Sequence, residues 1–187
     1  MPNIILFGQM GAGKTTIADI LVRKYGYRKF SLGEKIHSEC AIHGTHSRPE
    51  MQKYGQMMRE IFGEHVWNQY LFNKIHNFPT NANLIELERV VIDDGRQLNE
   101  FEFWSNKKFK CVGVYAPEVD RINRLIARTG KFPTDEQLKH ETETQAEECA
   151  YKASHLISNA GTLEDLEVTV ETFMRNLYES LIRGEGD

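Results

Sequence analysis

Several features that would direct the reading elsewhere are missing from this 187-residue chain. It has three cysteines, Cys40, Cys111 and Cys149, with no close pair, so a disulfide framework is excluded and a reducing, cytoplasmic setting is expected. No apolar run approaches the ~20 residues that span a bilayer, which leaves no expected membrane association. The start, "MPNIILFGQMG", lacks the basic residues and the apolar length of a signal peptide. Lysine and arginine form no long block and the formal net charge is only -4, so no nucleic-acid partner is expected. Internal repeats and low-complexity linkers are also absent, and the length suits one domain, residues 1–187.

What is present is an alternation of short apolar runs with longer segments of helical period, the mark of an α/β domain with a parallel sheet. Five strands are expected, at Ile4–Phe7, Tyr27–Phe30, Arg89–Asp93, Phe109–Tyr115 and His155–Ser158. Between them, residues 14–25 read as a helix stopped by Gly26, and Pro49–Ile75 as one long helical stretch. "SLGE" at 31–34, "TDEQ" at 134–137 and "TLED" at 162–165 fit capping boxes led by Ser31, Thr134 and Thr162. Asn99 is the expected cap of a short aromatic helix, and Pro117 the first helical residue of a segment reaching Thr129.

The chemistry begins at "GQMGAGKT", residues 8–15, which satisfies G-x-x-x-x-G-K-[ST]. Phosphate oxygens need several backbone N–H groups pointing inward, and Gly8, Gly11 and Gly13 let the chain bend around them, with Ala12 counted among the binding positions. The helix that starts here adds its positive end. Lys14 supplies a mobile charge for the β and γ phosphates, and the Thr15 hydroxyl is a Mg²⁺ ligand; Thr16 is counted with the loop. The loop follows a buried strand and opens a helix, as the mechanism requires. A magnesium site also needs a carboxylate at a neighbouring strand end, and "RVVIDDGR" offers Asp93, with Asp94 as the competitor. Arg96, three residues on, is placed to clamp a second phosphate group.

Taken with "FSLGEKIH" at 30–37, "GQMMREIFGEHVW" at 55–67, "RVVIDDGRQLNEFEF" at 89–103 and "DRINRLIAR" at 120–128, the loop resembles the P-loop nucleoside monophosphate kinase family. Within it, the likeness is to the deoxynucleoside monophosphate kinases of phages and bacteria, and it covers nearly the whole chain. The resemblance implies a three-layer fold with a five-stranded parallel sheet in the order 2-3-1-4-5. A helical acceptor-binding arm over about 31–80 and a short lid over about 121–140 would accompany it. It implies ATP and Mg²⁺ as cofactors and transfer of a phosphoryl group to a (deoxy)nucleoside monophosphate. Small-molecule nucleotides would be its partners, with a homodimer left open.

Carried onto this sequence, the acceptor side is Ser31, Glu34, Arg59 and Arg96, joined by Asp94. Lys14, Arg59, Arg96 and Arg128 carry the catalytic charge, Arg124 joins the ATP side, and "SNAG" at 158–161 places Asn159 and Gly161 against adenine. Glu34 has two readings, recognition of sugar or base, or completion of a helix cap. Two departures stand out. Where related adenylate kinases place an arginine for the acceptor phosphate, this chain has His37, leaving Arg48, Arg59 or Lys35 to supply the charge. The lid segment "TGKFPTDEQ" carries no cysteine quartet.

Other readings stay open beside this one. The acceptor could be another small metabolite, a coenzyme precursor or sugar, or the chain could be a nucleotide-binding switch without an acceptor. Cys40, His43 and His46 fit a polar loop better than a zinc site, and Trp67, Phe72 and Phe78 fit core packing better than base stacking. The acidic run "ETETQAEE" at 141–148 reads as a solvated helix face.

Overall fold

The computed structural model describes residues 1–44, 47–77 and 89–184. The elements run β1 (Ile4–Phe7), α1 (Lys14–Tyr25), β2 (Arg28–Phe30), α2 (Gly33–Ile42), α3 (Arg48–Phe62), α4 (Val66–His76) and β3 (Val90–Gly95). There follow α5 (Leu98–Asn106), β4 (Lys110–Tyr115), α6 (Glu118–Thr129), α7 (Asp135–Leu138), α8 (Glu141–Lys152), β5 (His155–Ser158) and α9 (Leu163–Ile182). The sheet order is β2-β3-β1-β4-β5 and the pairings are parallel, as expected.

Why the central strand β1 is continuously apolar follows from the layers, whereas the edge strands β2 and β5 are mixed and partly exposed. Successive side chains of a strand point to opposite faces, and both faces of this sheet are covered by helices. Ile4 and Leu6 pack with Ile17, Leu21, Val170 and Phe173, the side of α1 and α9. Ile5 and Phe7 pack with Leu71, Ile75, Trp104 and Cys149, the side of α4, α5 and α8. All four β1 side chains are therefore buried. At the carboxyl end the pairing is uneven: β1 advances two residues, Ile5 to Phe7, while β3 advances three, Ile92 to Gly95. That bulge lies at the two aspartates.

Four expectations are corrected. The stretch from 49 to 75 is two helices, because Gly63 (φ 96°) ends α3 in a conformation that L side chains resist. Ser31 does not cap α2: Leu32 occupies that position, and the Ser31 hydroxyl donates to Asp94 Oδ2 at 2.6 Å. Asn99 does not cap α5 either. Gln97 does, with Glu100 Oε2 accepting from the Gln97 and Arg96 amides at 3.0 and 2.7 Å. Pro117 stands one position before the first residue of α6. The boxes led by Thr134 and Thr162 do form, though the former opens a helix of only four residues before His140 starts α8.

Candidate functional site

The loop from Gly8 to Thr15 links β1 to α1 at the carboxyl edge of the sheet. Its bend passes through Gly11 at φ 78°, and a Cβ there would sit 2.6 Å from the Arg121 carbonyl oxygen, so the first turn of α6 admits only glycine. Lys14 is buried, and its Nζ donates to the carbonyls of Gly8 and, at 3.3 Å, Gln9. Burial above all, then the nearby Arg96 charge, pushes Lys14 down to about 7, against the opposing pull of Glu143, Asp94 and Asp93.

Asp93 is buried at the end of β3 and hydrogen-bonded by the Thr15 hydroxyl. Burial, and then Asp94, raise its pKa, while Thr15 lowers it. A carboxylate and a hydroxyl oxygen meeting beside a phosphate loop are the hard donors that Mg²⁺ takes while keeping most of its waters. The donor set therefore fits the metal. Asp94, the competitor, faces the other way. Its carboxylate accepts from Ser31 Oγ, from the Leu32 amide at 2.7 Å and from the Gly33 amide at 2.8 Å, anchoring the first turn of α2.

On the far side of the loop, Arg124 donates to the carbonyls of Gly11 (3.3 Å) and Asn159 (2.9 Å). Asn159 Nδ2 in turn donates to the Ala12 carbonyl at 2.8 Å. Arg124, Asn159 and the loop are thus one unit. Gly161 is exposed beyond them, near Asp165, and Thr16 is exposed on α1. Arg128 is exposed in the last turn of α6.

A cavity of about 750 Å³ lies between the sheet edge, α2, α3 and the start of α8, and it is joined to the loop through the Arg96–Glu143 pair. Arg59 and Arg96 line it, with Asp94, Glu100, Trp67, His37 and the amides of Gln52, Gln56, Gln97 and Gln145. Burial holds Arg59 below the usual arginine range, with Glu100 pulling the other way. Arg128 is not among the residues lining the cavity.

Three residues considered for the acceptor side, Ser31, Glu34 and Lys35, stand outside the cavity lining. Ser31 is engaged with Asp94, and Glu34 pairs with Lys74 at 2.6 Å; neither lines the cavity. Lys35 pairs with Glu39. Arg48 lies in the first turn of α3. Trp67 is buried yet lines the cavity, its Nε1 held by the Gly55 carbonyl at 3.1 Å, whereas Phe72 packs on Phe103 and Trp104. His46 and Phe78 lie outside the described residues.

The residue that the sequence reading missed is Glu143, assigned to a solvated face but buried. Oε2 accepts from the Met10 amide at 2.7 Å, and Oε1 pairs with Arg96 Nη1 at 2.6 Å. The signal was available: Glu143, Ala146, Cys149 and Ala150 share one helical face, and the last three are small or apolar. Arg121 was likewise overlooked; it is buried, with Nη1 3.4 Å from the Met10 carbonyl.

A 2-3-1-4-5 parallel sheet that presents a phosphate loop, a paired threonine and aspartate, and an arginine-lined cavity at one edge is the arrangement of a P-loop kinase, which works with ATP and Mg²⁺. The chain belongs to the AAA domain family, whose model matches residues 4–157. It is similar to the dephospho-CoA kinase of Thermus thermophilus, at 24% identity over 99% of this chain and 97% of the relative. The adenylate kinase of Pyrococcus furiosus is 26% identical over 67% of this chain and 56% of its own length. Among solved structures, shikimate kinase from Bacteroides thetaiotaomicron shares the fold, with a TM-score of 0.57 and 24% identity over 95% of this chain and 98% of that one. Among the described residues, no helix is long and apolar enough to cross a membrane.

Proposed function

We propose that this protein transfers the γ-phosphoryl group of ATP to a small anionic metabolite seated by Arg59 and Arg96. The observation that carries the reading is the cavity lined by those two arginines, one of which, Arg96, is joined through Glu143 to the Met10 amide of the phosphate loop. Phosphoryl transfer proceeds through a loose transition state whose charge spreads over the equatorial oxygens, so placing cations around two mutually repelling anions does most of the work. Lys14 would swing from the Gly8 carbonyl onto the β and γ phosphates. Thr15 and Asp93 would hold Mg²⁺, which supplies charge neutralisation between the phosphates. Removing a clamp of the Arg59 or Arg96 kind costs on the order of 10³-fold in rate, by analogy with arginine fingers. The segment 31–80 serves as the acceptor arm and 121–140 as the lid that excludes water, with Arg124 at its base and Arg128 brought in by its closing. Asn159 and Gly161 would flank the adenine.

Two acceptor classes compete. Likeness over the full length to a dephospho-CoA kinase, together with the shikimate kinase fold, supports a coenzyme precursor or sugar-like acceptor at least as well as a nucleotide, and over more of the chain than the adenylate kinase match does. One feature of the site favours a nucleoside monophosphate. An alcohol must lose a proton on attack, whereas a phosphate oxygen needs no base. Asp94 and Glu100, two of the four carboxylates that line the cavity beside His37 and His140, are both engaged by backbone amides. Release of ADP from Mg²⁺-ATP, measured with a panel of NMPs, dNMPs, dephospho-CoA, shikimate and gluconate, separates the classes. At least one acceptor should raise the rate well above that of ATP alone. Slow hydrolysis indifferent to every acceptor would leave a nucleotide-binding switch and end the kinase proposal.

A further inference from the structure

We infer that Glu143 is a positioning residue that couples the two halves of the site, so that the state of the acceptor arginine is felt by the phosphate loop. Its two carboxylate oxygens are divided between them: one holds the Arg96 guanidinium, the other the Met10 amide inside the loop. Glu143 has almost no exposed side-chain surface, against 29% exposed for Arg96, so the pair is fixed at its buried end and open at the cavity end. Neither partner is loosely held otherwise. The backbone of Arg96 is tied to Glu100 Oε2, and the Met10 carbonyl faces the Arg121 guanidinium. A continuous chain of contacts therefore runs from the cavity wall through Glu143 to the loop and on to α6.

The chemistry of a carboxylate suits this task and that of an amide does not. Both neighbours are donors, and an ionised carboxylate accepts from both, while a glutamine must turn its NH₂ toward one of them. When an anion in the cavity draws Arg96 toward itself, the charge on Glu143 loses part of its partner. The burden then shifts to the Met10 amide, tightening the loop that grips the nucleotide. Coupling between sites is reciprocal, so nucleotide binding reorients Arg96 by the same free energy. The kinase reading enters only in giving Arg96 an acceptor to meet.

The test is a double-mutant cycle on ADP affinity, measured by calorimetry without any acceptor. Arg96→Ala in the unaltered protein should change the ADP dissociation constant by about fivefold or more, the usual floor for coupled sites. In a Glu143→Ala background the same substitution should change it by less than about twofold. Glu143→Gln repeats the cycle should the alanine variant unfold, and thermal melts of each variant establish folding. Equal effects of Arg96→Ala in both backgrounds would mean that Arg96 meets the nucleotide directly or not at all, and would overturn the coupling. No ADP binding by the unaltered protein would remove the nucleotide site and the coupling with it. A silent acceptor panel beside a non-additive cycle would leave the coupling intact and remove only phosphotransfer.

Discussion

Gly11→Ala, set against Gly44→Ala, separates the two reasons why a phosphate loop needs glycine. Both residues have φ in the left-handed region, 78° and 72°. Around Gly44 a Cβ meets nothing within 4 Å, so only the backbone term is felt. That term is about 1–2 kcal/mol, offset in part by roughly 0.4–1 kcal/mol from a stiffer unfolded chain. Gly44→Ala should thus cost about 1 kcal/mol, or ~3 °C in melting temperature for a chain of this size. At Gly11 the new Cβ lies 2.6 Å from the Arg121 carbonyl oxygen and 3.0 Å from its Cα. These are backbone atoms of α6 and cannot step aside as a side-chain tip can. Overpacking adds roughly 1–3 kcal/mol, for a loss of about 5–15 °C. The loop must also shift away from α6, misaligning at least two amides, each contributing about 1.5–3 kcal/mol toward a charged oxygen. ADP affinity should then fall by about 10²- to 10⁴-fold, while Gly44→Ala leaves it unchanged. Calorimetry supplies both numbers. Two variants alike in melting temperature and in ADP affinity would refute the steric reasoning.

Asp93→Asn should abolish Mg²⁺-dependent ATP turnover while sparing ADP binding in EDTA; a variant that still responds to magnesium would place the metal acid elsewhere. Glu100 titrates above its usual 4.5 because of burial, so the folded protein keeps a proton that the unfolded chain has released. Its contribution to stability is greatest below pH 4.5 and is lost as pH rises through the folded value. The melting temperature of Glu100→Gln relative to the unaltered protein should therefore climb between pH 4.5 and 8, and a flat difference would contradict the burial argument. Trp104 is fully buried and its Nε1 donates to Asn68 Oδ1 at 3.0 Å. Trp104→Phe should cost about 2–4 kcal/mol from the smaller ring and the stranded acceptor, read as a denaturation midpoint shift with unchanged slope.

The sheet was legible because both of its faces are covered, which writes its central strand as an uninterrupted apolar run, Ile4–Phe7, while the edge strands β2 and β5 carry a weaker signal. The glycine loop between β1 and α1 was legible for a different reason: its residue types have few other uses at that spacing. Ser31 misled because "SLGE" satisfies a local rule, while in the fold a carboxylate 63 positions away takes its hydroxyl. The Glu34 half of that cap does not form either, and its carboxylate pairs instead with Lys74 of α4. Glu143 escaped notice because a run of acids looks solvated, and its partners lie 133 and 47 residues off. Local chemistry was readable; carboxylates recruited over long range to hold amides were not.

The bulge in β3 sets a limit on what this strand end can be. With even pairing from Ile5 to Phe7, only one residue would fit between Ile92 and Gly95. The strand tip could then present a carboxylate to Thr15 or to the turn at Ser31–Gly33, but not to both. The surplus residue is what lets a single strand tip serve two neighbours, and shortening it by one would force a choice between them.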